Sequence, residues 1–374
     1  MAEEGRWFWQ QPDWLSTPIL SDETYAFANQ LAESERKLLG DMGVELYKAT
    51  IVQSIADNLH CSYAIEGEKL DENLLRSSIM KRLNMDIPDW KPSGMSRTDR
   101  EDKAVQAALF LLNDKEALSP EKLEEAHAML KTEERGTWGK FRSTSECIRD
   151  AQQNVVYEAP PAEDVPELMG QFCRWWNDER VTLPASIGAA LGHAFFVVIH
   201  PFEDGNGRMA RLLADKAMAL GMGEPYRPYS MSSVIYQGLS QYYRALDQLP
   251  EENGIQRFVT LMAHMQSDVL DKAMIRMESV KNMEAVISIA EASGTPITPL
   301  GRAMLKTMAL EPERKIWTPF DASRDVRDAG DEDPWDVWND LVKRGIIQGK
   351  NIVSPAHLSS SPNGAKRRPR SPHR

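Results

Sequence analysis

Hydrophobic side chains recur at intervals of three and four residues along the first part of the chain, which is the period of an amphipathic helix. An aromatic-rich stretch, residues 7–14, precedes this pattern. Such a cluster is typical of a small packed core, with ligand binding as the alternative. We therefore predict an N-terminal helical domain over residues 1–70. The residues that carry the helical pattern are Leu31, Leu38, Leu39, Met42, Leu46 and Tyr47.

The helical pattern stops after residue 70 and returns after residue 101. Residues 71–101 include two prolines and a glycine between Asp86 and Gly94, which predicts a linker loop. Helical periodicity returns over residues 102–265, with one break at residues 143–157. The break is polar and β-tolerant and precedes Ala159-Pro-Pro161, so it predicts a short β-hairpin within a mainly α domain.

A separate unit is predicted over residues 266–355, beginning with one or two long helices. Residues 300–310 and 335–343 have helical patterns, and residues 344–347 can open a small β-wing. This order is compatible with a winged-helix-like domain, a fold that often binds DNA. The acidic segment 331–333 argues against DNA, and packing against the core or homodimer formation are the alternatives. The Ser-, Pro- and Arg-rich tail, residues 356–374, is predicted to be disordered.

Composition narrows the class of protein. The formal net charge of −12 at pH 7 disfavours non-specific binding of nucleic acid by the whole surface. The three cysteines, Cys61, Cys147 and Cys173, have neither metal-ligand spacing nor the pattern of a disulfide framework. No apolar run reaches the length of a signal sequence core or a membrane span. We expect a soluble cytoplasmic protein without membrane contacts.

One segment, residues 200–211, combines groups suited to holding a polyphosphate; it reads His-Pro-Phe-Glu-Asp-Gly-Asn-Gly-Arg-Met-Ala-Arg. Gly205 and Gly207 let the backbone turn sharply and bring N–H groups against an anion. A helix that begins near Asn206 would add its partial positive charge. Arg208 and Arg211 would share one face of that helix.

The same segment contains a proton acceptor and a carboxylate. His200 titrates near neutral pH, and Asp204 offers the hard oxygen that Mg²⁺ prefers. A plain turn between two helices is the alternative interpretation. However, a plain turn does not require an arginine pair, a carboxylate and a histidine at these positions.

The segment resembles the signature of the Fic family, His-x-Phe-x-Asp/Glu-Gly-Asn-Gly-Arg-x-x-Arg, at every specified position. Residues 136–142, 157–161 and 186–199 are similar to neighbouring segments of that family, and the aromatic N-terminal region resembles a domain of bacterial Fic proteins. The resemblance extends over roughly residues 1–265. It implies a Fic-type helical bundle that transfers AMP from ATP to a Tyr, Thr or Ser hydroxyl of a protein, including itself, and releases pyrophosphate.

Roles for individual residues follow from the resemblance. His200 is the catalytic base, Asp204 is the ligand of Mg²⁺, and Phe202 anchors the loop in the core. Arg211 would contact the γ-phosphate of ATP. The predicted nucleotide-binding residues are Gly205, Asn206, Gly207, Arg208, Arg211, Tyr236 and Tyr243.

A second motif, Ser62-Tyr-Ala-Ile-Glu66-Gly67, resembles the inhibitory pattern of the family, Ser/Thr-x-x-x-Glu-Gly/Asn. A Glu66 carboxylate in a bidentate pair with Arg211 would withdraw the arginine that the γ-phosphate needs. We therefore predict Ser62 and Glu66 as inhibitory residues. A surface capping carboxylate is the alternative.

The flap, about residues 143–157, is predicted to pair with a target protein as an added strand. Tyr236 and Tyr242–Tyr243 resemble the region that closes the base pocket in the family, although helical packing is the rival interpretation. The segment Ile255–Phe258 departs from the family, since many relatives have a tryptophan there. The packing at this point is therefore in doubt.

The sequence also bears on three other functions: metal-dependent hydrolysis, DNA-binding regulation and removal of AMP. A metal hydrolase of the His-Glu-x-x-His type is excluded by the absence of that motif, and His193 is interpreted as a helix-packing residue. A DNA-binding regulator that only senses nucleotide would not need His200. Removal of AMP from modified proteins by the same site remains an alternative, because a glutamate can orient water.

Overall fold

The computed structural model describes residues 6–85, 99–131, 137–149, 152–294, 296–312, 314, 317–323, 332–348, 351–352 and 354. The described chain is mainly helical, as predicted. Its helices are α1 (Asp22–Gly40), α2 (Val44–Ile65), α3 (Glu72–Leu83), α4 (Asp99–Asn113), α5 (Pro120–Met129), α6 (Val165–Asp178), α7 (Ala185–Ile199), α8 (Asn206–Met222), α9 (Met231–Gln237), α10 (Leu239–Asp247), α11 (Gly254–Ala292), α12 (Pro299–Leu310), α13 (Pro319–Ser323) and α14 (Pro334–Lys343). The strands are β1 (Cys147–Arg149), β2 (Val155–Glu158), β3 (Ile347–Gln348) and β4 (Asn351–Ile352).

The chain divides into two compact units, with the boundary at Asp271. The first unit contains both the predicted N-terminal domain and the predicted catalytic core. These two regions therefore belong to one compact unit. Among the described residues, no helix combines the length and apolar character needed to cross a bilayer.

The predicted linker over residues 71–101 is wrong where helix α3 forms. The Asp71 side chain caps this helix by accepting hydrogen bonds from the backbone N–H groups of Asn73 and Leu74. Its inner face buries Leu75 and Ile79, and the helix ends at Asn84, which is left-handed with φ 50°. Residues 86–98, which hold the two prolines and the glycine, lie outside the described residues.

Helices α7 and α8 form the centre of the first unit and pack along each other. Helix α7 is apolar on nearly all sides and is almost entirely buried, as expected of a core helix. Gly192 lets it approach α6 closely, since a Cβ at this position would lie 2.8 Å from the Trp176 ring. The turn that joins α7 to α8 contains residues 200–205, so two largely buried helices position this segment.

Strands β1 and β2 pair antiparallel and confirm the predicted hairpin. Cys147 pairs with Glu158, and Ile148 pairs with Tyr157. The register shifts between Ile148 and Arg149, where Arg149 pairs with Val155. The predicted flap is thus a bulged two-stranded hairpin in its described residues.

The second unit contains the end of α11, then α12, α13, α14 and the β3–β4 hairpin. Ile347 pairs with Ile352 in that hairpin, as predicted for the wing. Helix α11 is a single helix. The order of α12, α13 and α14 followed by the β3–β4 hairpin is compatible with a winged-helix-like domain, which stays a prediction. The tail, residues 356–374, lies outside the described residues.

Candidate active site

The candidate catalytic loop, residues 200–211, consists of the turn between α7 and α8 and the start of α8, and its turn is closed by its own asparagine. Helix α7 ends at His200 in a left-handed conformation with φ 50°, and Gly205 precedes α8 with φ 79°. The Asn206 side chain accepts a hydrogen bond from the Phe202 N–H at 2.9 Å and donates to the Phe202 carbonyl at 2.8 Å. The Asn206 side chain is therefore used inside the loop, which leaves its backbone N–H as the group that can face an anion.

His127, which the sequence did not single out, supports this loop from α5. Its ring stacks on the buried Phe202 ring with centroids 3.6 Å apart, and Trp138 stacks on it at 4.9 Å. The Gly139 N–H donates to its Nδ1 at 2.9 Å, so the proton of the neutral ring is on Nε2. Nε2 then donates to the Asp204 carbonyl at 2.8 Å. Burial lowers the pKa of His127 to about 4, which keeps this neutral form near pH 7.

Arg142 connects the same loop to the base of the hairpin. Its buried guanidinium donates to the carbonyls of His200 at 2.8 Å, Thr144 at 3.0 Å and Pro160 at 2.5 Å. The Tyr157 hydroxyl also donates to the Val198 carbonyl of α7. Because both ends of the hairpin are bonded to the end of α7, the position of the flap is linked to that of His200.

His200 is held in the form that can accept a proton. Burial lowers the pKa of His200 to about 4. Its Nδ1 lies 3.3 Å from the Val197 carbonyl, which can only accept a hydrogen bond. The proton of the neutral ring is therefore assigned to Nδ1, and Nε2 has the available lone pair.

Arg211 is buried and is engaged by the predicted inhibitory residues. Its Nε donates to Ser62 Oγ at 2.8 Å, and Nη2 donates to the Ser62 carbonyl at 2.8 Å and to Glu66 Oε1 at 2.7 Å. The predicted bidentate pair is wrong, because Ser62 takes two of the donations and the carboxylate contributes one oxygen. A Cβ at Gly207 would collide with the Glu66 carboxylate, which therefore lies over the first turn of α8.

Arg208 is also paired with carboxylates, one from Asp204 and one from Glu68, which the sequence did not identify. Its side chain is 1% exposed and lies over the rings of Tyr63 at 5.0 Å and Trp138 at 5.6 Å. Its Nη2 contacts Asp204 Oδ2 at 3.0 Å, and its Nη1 lies 3.0 Å from Glu68 Oε1. Both motif arginines are therefore paired with carboxylates.

Asp204 has the exposure expected of a metal ligand. Its side chain is 65% exposed, and Oδ1 accepts the Gly205 N–H at 2.6 Å. The residues that the structure describes contain no cluster of three or more His, Cys, Asp or Glu side chains arranged for a metal ion. A single carboxylate still fits Mg²⁺, which commonly takes one or two protein carboxylates together with phosphate oxygens and water.

Tyr236 and Tyr243, the predicted base-pocket residues, are partly exposed, whereas the neighbouring Tyr242 is buried. Tyr242 donates or accepts a hydrogen bond with His193 Nε2 at 2.7 Å, and Phe258 stacks on His193 at 5.9 Å. His193 is thus a buried packing residue. Phe258, from the segment that lacks the tryptophan of many relatives, packs against it. Tyr243 and Tyr236 are partly exposed, and the charges of Glu66 and Arg211 act on the Tyr243 hydroxyl, whose pKa is raised mainly by burial.

Comparison with known proteins agrees with this geometry. Residues 117–218 match the Fic/DOC family, and residues 7–85 match a domain of unknown function, DUF4172. The protein adenylyltransferase Fic of Drosophila erecta is 38% identical over 125 residues, which cover 32% of this chain and 24% of that protein. The protein of the same name from Nematostella vectensis is 27% identical over 229 residues, 60% of this chain and 50% of that protein. The chain therefore spans between a quarter and a half of the length of these curated relatives.

Two solved structures share the fold. A Fic family protein from Desulfovibrio desulfuricans has a TM-score of 0.52 at 20% identity and covers 74% of this chain and 81% of its own. A Fic domain containing signaling protein from Bacteroides thetaiotaomicron has a TM-score of 0.51 at 20% identity, covering 67% and 97%. Residues 117–218 are therefore similar to the Fic/DOC family, and the chain shares the fold of these two structures.

Proposed function

We propose that this chain is a protein adenylyltransferase, which transfers AMP from ATP to a Tyr, Thr or Ser hydroxyl and is inhibited by its own Glu66. The proposal depends mainly on one observation. Arg211, at the end of a complete catalytic loop, is bonded to Ser62 and Glu66 from helix α2. The curated relatives named protein adenylyltransferase support the reaction class.

In the proposed reaction the hydroxyl oxygen of the target attacks the α-phosphorus of ATP. A new O–P bond forms, the bond from the α-phosphorus to the pyrophosphate oxygen breaks, and the hydroxyl proton passes to His200 Nε2. His200 suits this role because burial keeps it neutral near pH 7. Pyrophosphate leaves with the electron pair of the broken bond.

The phosphates would lie at the N-terminus of α8. Backbone N–H groups of Asn206 and Gly207, in the first turn of α8, would face the phosphates, and that of Gly205 would join them on leaving Asp204 Oδ1. Arg208 would contact phosphate oxygens, and Arg211 those of the γ-phosphate. Asp204 would hold Mg²⁺, which supplies positive charge to the phosphates when bound.

The Glu66 carboxylate opposes this arrangement in two ways. It uses a donor of Arg211 that the γ-phosphate requires, and it places a negative charge over the first turn of α8. ATP that binds beside Glu66 would therefore be held with its α-phosphate out of line for attack. Removal of the carboxylate should restore productive binding.

The hairpin is the proposed docking site for the target. Ile148 and Val156 are 42% and 41% exposed on its strands, so an extended segment can pair there and cover them. Arg142 and Tyr157 fix the base of the hairpin beside His200. Tyr243, near Glu66, and Tyr236 are the candidates for contact with the adenine base.

Incorporation of α-labelled AMP tests the proposal. The full chain with Glu66→Gly is expected to incorporate at least about tenfold more label than the wild type, equivalent to ~1.4 kcal/mol. His200→Ala in the Glu66→Gly protein should abolish incorporation. Glu72→Gly, which removes a carboxylate on α3 paired with Arg76, is the matched control and should stay at the wild-type level. Equal incorporation by Glu66→Gly and wild type would reject the inhibitory role.

Removal of AMP from a modified protein is a second candidate function. The Glu66 side chain is 30% exposed and pairs with Arg211 through Oε1, which leaves Oε2 positioned to polarise a water molecule. Incubation of wild-type and Glu66→Gln protein with an AMP-modified substrate separates the two functions. Release of AMP that requires Glu66 would support removal, whereas faster release by Glu66→Gln would contradict it.

A further inference from the structure

A second carboxylate, that of Glu68, follows Glu66 just after the end of α2. It contacts Arg208, the other arginine of residues 200–211. Glu68 Oε1 lies 3.0 Å from Arg208 Nη1, while Glu66 contacts Arg211. Only Gly67 separates the two glutamates, and its φ of 77° reverses the chain direction at the end of α2. Each glutamate therefore reaches a different arginine on α8.

The backbone of this turn is fixed. The Gly67 N–H bonds to the Ala64 carbonyl, and the Glu68 N–H bonds to the Tyr63 carbonyl, both at 3.0 Å. This pair of bonds is the Schellman motif, which commonly ends helices at a left-handed glycine. Because one motif holds both glutamates, a displacement of the turn moves the two carboxylates together.

Arg208 has little capacity left for a phosphate while Glu68 is in place. Its guanidinium is enclosed by the Tyr63 and Trp138 rings, and its two terminal nitrogens contact Glu68 and Asp204. A phosphate oxygen must therefore replace a carboxylate to reach either terminal nitrogen, whereas the buried Nε has no hydrogen-bond partner among the described residues. Asp204 belongs to the catalytic loop itself, whereas Glu68 comes from the end of the inhibitory helix.

Glu68 also has a second cation, which gives its carboxylate a position to occupy when Arg208 is released. Its other oxygen, Oε2, pairs with Arg100 of α4. Arg100 lies over the Tyr63 ring at 5.8 Å, the same ring that Arg208 contacts. Since Arg100 continues to neutralise Glu68, loss of the Arg208 contact does not leave an unpaired carboxylate.

We propose that Glu68 is a second inhibitory carboxylate, which withholds Arg208 from the phosphates as Glu66 withholds Arg211. This proposal rests on the proposed function of the loop as a triphosphate site. Arg208 lies one turn nearer the N-terminus of α8 than Arg211, so it faces a phosphate closer to the nucleoside. Glu66 therefore limits contact with the γ-phosphate, whereas Glu68 also limits binding of ADP.

Titration calorimetry with ADP and ATP tests this division on the full chain. Glu68→Gln is expected to lower the Kd for both nucleotides by about fivefold, as expected for loss of one competing ion pair. Glu66→Gly should lower the Kd for ATP and leave that for ADP unchanged. Thermal unfolding of each variant shows that it is folded at the temperature of the titration.

Two further variants test whether ADP binding is weakened by the contact between Glu68 and Arg208 or by negative charge alone. Glu68→Asp keeps the negative charge but shortens the side chain, so it should also tighten ADP binding. Glu72→Gln removes a nearby charge that does not contact Arg208 and should leave the Kd at the wild-type value. An unchanged Kd for ADP in Glu68→Gln, or equal effects of Glu68→Gln and Glu72→Gln, would overturn the proposal.

AMP incorporation distinguishes failure of this inference from failure of the proposed function. If Glu68 is inhibitory, the Glu66→Gly, Glu68→Gln double variant incorporates more label than Glu66→Gly alone. Tighter ADP binding by Glu68→Gln without incorporation by any variant would reject adenylyl transfer and retain the role of Glu68. Incorporation by Glu66→Gly that Glu68→Gln does not increase, with an unchanged Kd for ADP, would reject Glu68 alone.

Discussion

At the scale of single residues, His127 shows how the catalytic loop is held without contact to the reacting atoms. It joins the Asp204 carbonyl to the Gly139 N–H and stacks on Phe202. His127→Phe would retain the stacking and leave both backbone groups without this partner. We therefore expect kcat for AMP transfer to fall about tenfold in the Glu66→Gly enzyme, because a small shift of the loop misaligns His200.

The measurement is kcat and KM for ATP in the Glu66→Gly background. His127→Gln, which can still donate to Asp204, should recover part of kcat, a recovery that loss of packing alone does not predict. His264→Phe on α11 is the matched control, since His264 is exposed. An unchanged kcat in His127→Phe would show that the loop does not depend on this residue.

The sequence predicted those site residues that lie within the loop and inhibitory motifs, and missed those that support them from elsewhere. His200, Arg211, Ser62 and Glu66 are brought together by the fold. His127 lies in an ordinary-looking segment, and Arg142 ends a segment whose resemblance to the family gave it no role. The importance of both comes from contacts with backbone groups far along the chain. The bidentate pair was wrong for a similar reason, since the position of Ser62 relative to Arg211 depends on how α2 packs on α8.

At the scale of elements, helix α2, at whose end the predicted inhibitory residues lie, is bonded to α8 well away from Glu66. The Asn58 side chain donates to Asp215 Oδ2 at 2.5 Å, and Asp215 forms a buried ion pair with Arg227. Ser54 Oγ lies 2.7 Å from the Arg227 carbonyl and donates a hydrogen bond to it. Relief of inhibition is therefore expected at the last turn of α2, while the rest of the helix stays in place.

Asp215→Asn tests how firmly these elements are joined. The substitution leaves the buried Arg227 without its carboxylate partner, and we expect the free energy of unfolding to fall by about 3 kcal/mol. Urea denaturation measures this change. Glu167→Gln removes an exposed ion pair with Arg174 and should cost no more than about 0.5 kcal/mol. A similar small loss in Asp215→Asn would mean that the network contributes little to the attachment of α2.

Hydrophobic periodicity predicted most elements but not α3. Helices α12 and α14 and the hairpins have clear patterns and clear ends. Helix α3 includes Arg76 and Ser78 among its buried residues, so its apolar stripe is weak, and a proline-containing segment follows it. The N-capping residue Asp71 was the available signal for its start.

At the scale of the whole molecule, the second unit has acidic side chains on the helix that precedes its hairpin. Helix α14, which precedes the wing, has Asp333 as its cap and contains Asp336 and Asp340. A helix in this position would contact DNA in a winged helix, and these carboxylates would repel its phosphates. DNA binding by this unit stays a prediction that the carboxylates of α14 oppose.

The stability of the first unit is expected to fall in mild acid, because three histidines with lowered pKa values are neutral in the folded protein. Burial lowers the pKa of His127 to about 4, of His193 to about 3 and of His200 to about 4, from the usual 6.5. The unfolded chain therefore binds protons first as the pH falls below 6.5. Stability is fully present above that pH and is lost progressively as the pH falls toward 4, by up to about 1.4 kcal/mol per pH unit for each histidine.

Buried carboxyl groups oppose this loss at the lower end of the range. Burial raises the pKa of Glu35 and of Asp215, so the folded protein binds their protons more readily than the unfolded chain. The clearest window for the histidines is therefore between pH 6.5 and about 5. Urea denaturation at several pH values across this window measures the slope of the unfolding free energy against pH.

His193→Gln identifies the contribution of one histidine to that slope. Its amide can retain a hydrogen bond to Tyr242 but does not titrate, so the slope is expected to decrease by about a third, one proton in three. His264→Gln, in which the replaced side chain is exposed, should keep the wild-type slope. If His193→Gln lowers stability equally at every pH, burial of a neutral His193 is not a source of the acid sensitivity, and the fall must come from other groups.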